Sequence, residues 1–294
     1  MPQLILLLLC LGTGQAEAHG GDTHAAGFGW TVDPLVMALL SLSAGLFGAG
    51  TLRIWRRAGP GRGVSPAQVA TYAAGWLLLA GALISPLHAL GEHIFTFHMI
   101  EHEIVMAAAA PLLVLSRPLG AFVWALPRRW RIGVGRFGKR RGTRRLWQGL
   151  TGMTAGTVSH GAAIWLWHLP SAFEAALADE TLHRLQHASF LVTGLLFWHA
   201  LRTGGAPGRA VWHLFVTMIH MSILGALIAL SPRVLYRMQT EGAGWLGMTP
   251  LEDQQLAGLV MWIPAGTVYA GAALLFAALW IRPSGRTGYA PLGS

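Results

Sequence analysis

Seven apolar stretches dominate the chain, at about residues 34–55, 68–90, 95–115, 148–169, 182–201, 211–230 and 255–281. Each is close to the ~20 residues that a helix needs to cross a bilayer. The expected fold is an all-α integral membrane protein with seven transmembrane helices, spread over a membrane domain at 34–282. Three prolines, Pro86, Pro111 and Pro264, are expected near span ends, where a break is tolerable. A shorter apolar run at residues 4–11 precedes the spans, and Ala16-Glu17-Ala18 has the small-x-small form of a signal cleavage site. Residues 1–18 therefore read as a signal peptide, 19–33 as a histidine-containing extracytoplasmic arm, and 283–294 as a cytoplasmic tail.

Charge then orients the spans. With the N-terminus outside after signal cleavage and the C-terminus cytoplasmic, eighteen of the 21 Lys and Arg residues fall in inner loops, leaving Arg184, Arg233 and Arg237 outside. The twelve acids all fall on the outer side or in the outer end of a span. The largest basic segment, 128–145, suits an inner topogenic loop or a contact with anionic lipid heads. The expected location is a bacterial inner membrane, crossed several times.

Composition agrees: 53% of residues are hydrophobic and 11% charged, with 13 Trp and 38 Gly. The net charge of +9 follows the loops, so nucleic acid is not an expected partner. The single cysteine, Cys10, excludes an intramolecular disulfide and any Cys-x-x-Cys site. A transition metal here would have to be held by histidine, methionine and carboxylate.

Histidines carry the candidate chemistry. His98 and His102 are spaced i, i+4 on the third span, and His183 and His187 share that spacing on the fifth. One helix face then presents two imidazoles. The topology puts both pairs, with His168, in the outer third of the membrane, and His88 and His93 just above. Ionisable groups are costly inside a bilayer, so they are expected to face the bundle interior and mark a site. The four imidazoles of His98, His102, His183 and His187 are the expected metal ligands. Candidate additional ligands or supporting groups are His168, His160, His220, Glu101, Met106, Asp253, His93 and His88. His19 and His24 form a candidate metal-collecting arm. Imidazole with thioether favours copper, zinc or iron. Asp253 has three candidate roles: ligand, partner of a ligand histidine, or helix cap. His98-x-x-Glu101-His102 also fits the inverted zinc-protease pattern, but a third ligand and a substrate cleft are not recognisable. The bland alternative is an interhelical hydrogen-bond network.

His98-Met99-Ile100-Glu101-His102 with Pro111-Leu112-Leu113-Val114-Leu115, Trp167-His168-Leu169-Pro170 with Leu182-His183 and His187, and Asp253-Gln254-Gln255-Leu256-Ala257-Gly258-Leu259-Val260-Met261-Trp262 together resemble the polytopic CtaG-like family of cytochrome c oxidase assembly proteins. The resemblance covers most of the chain from the second span onward. It implies a role in building haem–copper oxidases, with copper delivery to the catalytic subunit as the proposed task. Glu101 stands where Gln is common in that family, so the resemblance implies no carboxylate role there. The expected protein is therefore an assembly factor and not an enzyme. It binds copper through outer-half histidines and hands it to the oxidase catalytic subunit, with a periplasmic copper chaperone as a candidate donor. The alternatives are a haem-binding electron-transfer protein, with histidine pairs as axial ligands, and a scaffold without metal.

Overall fold

The structure is a computed structural model and describes residues 29–281. The signal peptide, His19 and His24 of the arm, and the C-terminal tail lie outside the described residues.

Among the described residues the fold is helical, without strands. Helix α1, Pro34–Ala58, starts at Asp33, whose carboxylate accepts from the backbone N–H of Leu35 at 2.8 Å and of Val36 at 3.2 Å. Burial opposes that charge, but the Arg184 guanidinium and the two backbone N–H groups outweigh it and hold the carboxyl below its usual range. Helix α2, Pro66–Ile84, opens with a capping box between Ser65 and Gln68.

Where the hydropathy pattern predicts one helix over 68–90, the chain breaks at Ser85 and restarts as α3, Pro86–Gly91. The cause is Pro86, whose ring pushes the preceding residue out of the helical region: Ser85 sits at φ −88°, ψ 173°. Its hydroxyl then caps α3 by accepting from the Leu87 N–H. His88 thereby leaves the span and sits on a separate turn.

The third span, Phe95–Leu115, is the central one: 61% of its most apolar window is buried, against 33% or less for the other four long apolar helices. It comprises α4, Phe95–Glu103, a π-helical stretch, Ile104–Ala109, and α5, Ala110–Leu115. Pro111 explains the widened turn, because it has no N–H and its ring crowds the preceding turn. The Ala110 N–H reaches back to Val105 O, which leaves the Met106 carbonyl without a partner in its own helix. Trp198 fills that gap by donating from Nε1 at 3.0 Å.

Helices α6, Leu119–Ala125, α7, Arg128–Lys139, and α8, Arg141–Leu150, lead to α9, Met153–Trp167. Then follow α10, Pro170–Ala178, α11, Glu180–Thr203, α12, Pro207–Ala229, a 3-10 stretch, Met238–Leu246, and α13, Pro250–Ile281. Pro264 lies within α13 and not near its end. Among the described residues, five helices are long and apolar enough to cross a membrane: α1, α2, the α4–α5 run, α12 and α13. The chain is thus a membrane protein. The other two expected spans differ for physical reasons. Helix α9 has 15 residues, which at 1.5 Å per residue is about 22 Å. Helix α11 has 24, but spends positions on Arg184, Gln186, Ser189, Thr193 and three histidines.

Small residues set the packing. A Cβ on Gly258 would lie 2.5 Å from Ala229 N, and one on Gly225 2.9 Å from Gly258 O, so α12 and α13 touch backbone to backbone. Asp253, near the head of α13, accepts from the backbone N–H groups of Phe95 (2.8 Å) and Thr96 (3.0 Å) and from the Thr96 hydroxyl (2.6 Å). It caps α4 from outside that helix. Arg184 of α11 pairs with Asp33 at 2.7 Å and ties α11 to the start of α1.

Candidate metal centre

Three elements converge at the head of α4. That helix supplies His98 and His102 one turn apart, both buried, with Glu101 beside them. Helix α11 supplies His183 and His187 at the same spacing, and α3 supplies His88. Nitrogen atoms of His98, His183 and His187 all lie within 4.8 Å of one another. The Nε2 atoms of His183 and His187 are 3.0 Å apart. Two imidazoles on one tetrahedral ion stand at about 3.3 Å, from bonds of about 2.0 Å. The pair is therefore close to a chelating separation before any ion arrives.

Tautomers are set by the surroundings. His98 donates from Nδ1 to the Gly91 carbonyl at 3.2 Å, which leaves Nε2 as a lone pair facing inward. Glycine at 91 suits this close approach, because a Cβ there would lie 3.1 Å from Glu101 Oε2 and 3.3 Å from His98 Cα, and both would have to give. Gln239 donates to the same carbonyl. His168, at the end of α9, repeats the arrangement, with Nδ1 donating to Ile164 O at 2.7 Å. Glu101 Oε1 lies 2.8 Å from His88 Nδ1 and 3.2 Å from His187 Nδ1. The first is a hydrogen bond; the second lies off the hydrogen-bond line. His88 Nε2 in turn lies 3.8 Å from Glu92, which is 46% exposed.

A run of carboxylates and imidazoles thus leads from the surface at Glu92, through His88 and Glu101, to His187 and His183. His102 sits one layer deeper, its ring centroid 4.2 Å from that of His98, 5.2 Å from His187 and 6.0 Å from His168. Phe173 and Phe190 pack on His98 and His102 at 5.0 and 4.7 Å and line the centre with apolar rings.

His98 Nε2, both nitrogens of His102, His168 Nε2 and Glu101 Oε2 are buried without a hydrogen-bond partner. Each such atom costs about 1–3 kcal/mol. Five of them together rival the ~5–15 kcal/mol of a whole fold. A bound ion or enclosed waters would satisfy such a set, and His98, His102 and His168 each offer one imidazole lone pair to it. The residues fit a transition metal.

The other expected participants are placed elsewhere. Asp253 is committed to capping α4. Met106 is buried in the apolar core, and His93 packs on Trp245 at 5.0 Å. His160 bonds Thr193 Oγ1 at 3.1 Å and Tyr269 OH at 3.3 Å, and His220 accepts from Trp165 at 3.4 Å. Sequence reasoning passed over Gln186, buried next to His187 with both amide atoms unpartnered, and Glu103, buried with Oε2 unpartnered. Adjacency to a ligand histidine was the available signal for both. The Gly91 carbonyl had none, since a backbone acceptor leaves no mark on composition.

The family model of the cytochrome c oxidase caa3 assembly factor matches residues 45–283. No curated protein and no solved structure matches the chain. The matched span takes in α2 to α13, and with them every histidine and carboxylate of the centre. The chain belongs to the cytochrome c oxidase caa3 assembly factor family.

Proposed function

We propose that this assembly factor binds copper at the outer-facing histidine centre and passes it to the oxidase catalytic subunit. The carrying observation is the convergence of His98, His183 and His187 within 4.8 Å, with unpartnered nitrogens of His102 and His168 behind them. Copper is cargo in this reading. More imidazoles are present than one ion needs, so a ligand can be exchanged without leaving the ion bare. His98, His183 and His187 hold the ion, and His102 and His168 offer the next nitrogens. An all-imidazole donor set suits copper or zinc, and the oxidase partner favours copper. No bond of a substrate is made or broken, and the role is not enzymatic. Seven crossings, with the N-terminus outside and the tail inside a bacterial inner membrane, place the centre on the side from which a periplasmic chaperone would approach. His19 and His24 would be available there to collect metal.

Metal analysis with a visible spectrum on the purified full chain tests this. About one copper per chain is expected, falling at least tenfold in the His98→Ala/His187→Ala double variant and unchanged in His160→Ala, whose histidine is already hydrogen-bonded. Retention of copper by the double variant would sink the assignment. A Soret band would favour the haem reading, although Phe173 and Phe190 pack directly on the imidazoles that a porphyrin would need.

A further inference from the structure

The basic segment at the other end of the molecule has a two-faced pattern that the metal centre does not use. Helices α7 and α8 follow the inner end of α5, away from His98, and contain no buried residue. At 100° per residue, Trp130, Val134 and Phe137 fall on one face of α7, opposite Arg128, Arg129, Arg136 and Lys139, with Ile132 the exception among the charges. In α8, Leu146, Trp147 and Leu150 face away from Arg141, Arg144 and Arg145. Much of the apolar surface stands open: Trp130 is 59% exposed, Phe137 45% and Leu146 53%, whereas Trp147 is turned to the bundle. No acid occurs anywhere between Glu103 and Glu174. Both helices are held beside the bundle: Arg131 of α7 lies 4.2 Å over the Trp124 ring of α6, Arg53 of α1 donates to the Trp124 and Ala125 carbonyls, and Trp147 of α8 packs on His199 of α11 with ring centroids 5.6 Å apart.

We infer that α7 and α8 form an interfacial plate that docks on the anionic phospholipid headgroups of the membrane the protein itself spans. Two observations choose this occupant. The helices are tethered to α6 and α9, so the nearest apolar medium for Trp130, Phe137 and Leu146 is the bilayer edge. The uncompensated charge opposite them complements anionic heads. The apolar stripes would enter the headgroup–acyl boundary while the guanidinium groups stay at phosphate level. A loop that served only to set topology would need the charges but not the opposed aromatic face. The inference does not depend on copper binding.

The test is a label scan. On a Cys10→Ser background, single cysteines replace Trp130, Val134 and Phe137, or Arg129 and Arg136, and carry a polarity-sensitive fluorophore. The full chain is placed in nanodiscs of phosphatidylcholine alone or mixed with phosphatidylglycerol. Labels at 130, 134 and 137 should shift to the blue and be quenched by lipid-borne quenchers, more so with phosphatidylglycerol and less at high salt. Labels at 129 and 136 should stay in water. Native mass spectrometry of the unlabelled protein gives an independent readout. Phosphatidylglycerol should be retained over phosphatidylcholine, and the preference should fall about fivefold for each charge removed by Arg128→Gln, Arg129→Gln, Arg136→Gln and Lys139→Gln. Equal environments on the two faces, no dependence on lipid charge, or a response to added RNA or soluble acidic protein in place of lipid would each overturn the proposal.

Discussion

Glu101 stands at the junction between the surface and the centre, one oxygen close to the Nδ1 atoms of both His88 and His187. It holds the proton on His88 Nδ1, and a small rotation of the His187 ring on metal binding would bring Nδ1 onto the same acceptor, keeping its proton there and the Nε2 lone pair free for a metal. What matters in this account is the oxygen, not the negative charge, and two substitutions separate them. Glu101→Gln keeps an acceptor oxygen of the same reach and should lower copper affinity by less than about tenfold. Glu101→Leu removes it and should lower affinity by about 10- to 100-fold, the range for lost support of a metal ligand. Competition against a copper chelator reads both, and equal losses would assign the role to charge.

Asp33 offers a second residue-scale test. Its carboxyl is held below the usual range in the fold, so its tie to Arg184 contributes above the unfolded carboxylate pKa and is lost as pH falls through the lower folded one. The pair is partly exposed, so its worth is below about 1 kcal/mol. Asp33→Asn should lower the melting temperature slightly at neutral pH, and the gap to wild type should close in acid.

At the scale of elements, the π-helical stretch between α4 and α5 is held by a side chain from α11. Trp198 Nε1 is the donor to the Met106 carbonyl that Pro111 and the widened turn leave free. Trp198→Phe keeps most of the ring and removes the donor, so the expected cost is about 1–3 kcal/mol, seen as a lower melting temperature in detergent. No loss would mean that the carbonyl finds another partner.

This contact also shows what the sequence could and could not reveal. Hydropathy located the long helices, and i, i+4 spacing put His98 over His102 and His183 over His187, because both are properties of one helix. Pro86 and Pro111 were visible, but their consequences depend on neighbours: a restart that delivers His88 to the centre, and a carbonyl handed to a distant tryptophan. Asp253 and Met106 show the same limit. Periodicity gives the face a residue occupies and not the element across from it, so a carboxylate at the mouth of α13 read equally well as a ligand and as a cap.

At the scale of the whole molecule, the number of crossings decides where the centre opens. Five helices meet the demands of length and apolarity by themselves. Helix α11, polar as it is, lies along the central span: His183 is 5.6 Å from His98 and His187 5.2 Å from His102 by ring centroids, and further along an added Cβ on Gly194 would lie 3.4 Å from Ala110. The two run in the same direction. A chain that leaves α5 at one side of a membrane and starts α11 at the other has to return in between, and α9, with 15 residues, is the segment that packs there. Seven crossings accommodate this return and five do not, and labelling can decide. With Cys10→Ser, Glu180→Cys and Glu241→Cys should react with a membrane-impermeant maleimide on intact spheroplasts, and Arg144→Cys only after lysis. Five crossings would hide Glu180→Cys with Arg144→Cys and leave Glu241→Cys exposed. An inverted protein would expose Arg144→Cys alone. Only the seven-crossing pattern sets the heads of α4 and α11, and the histidines they bring together, on the outer side.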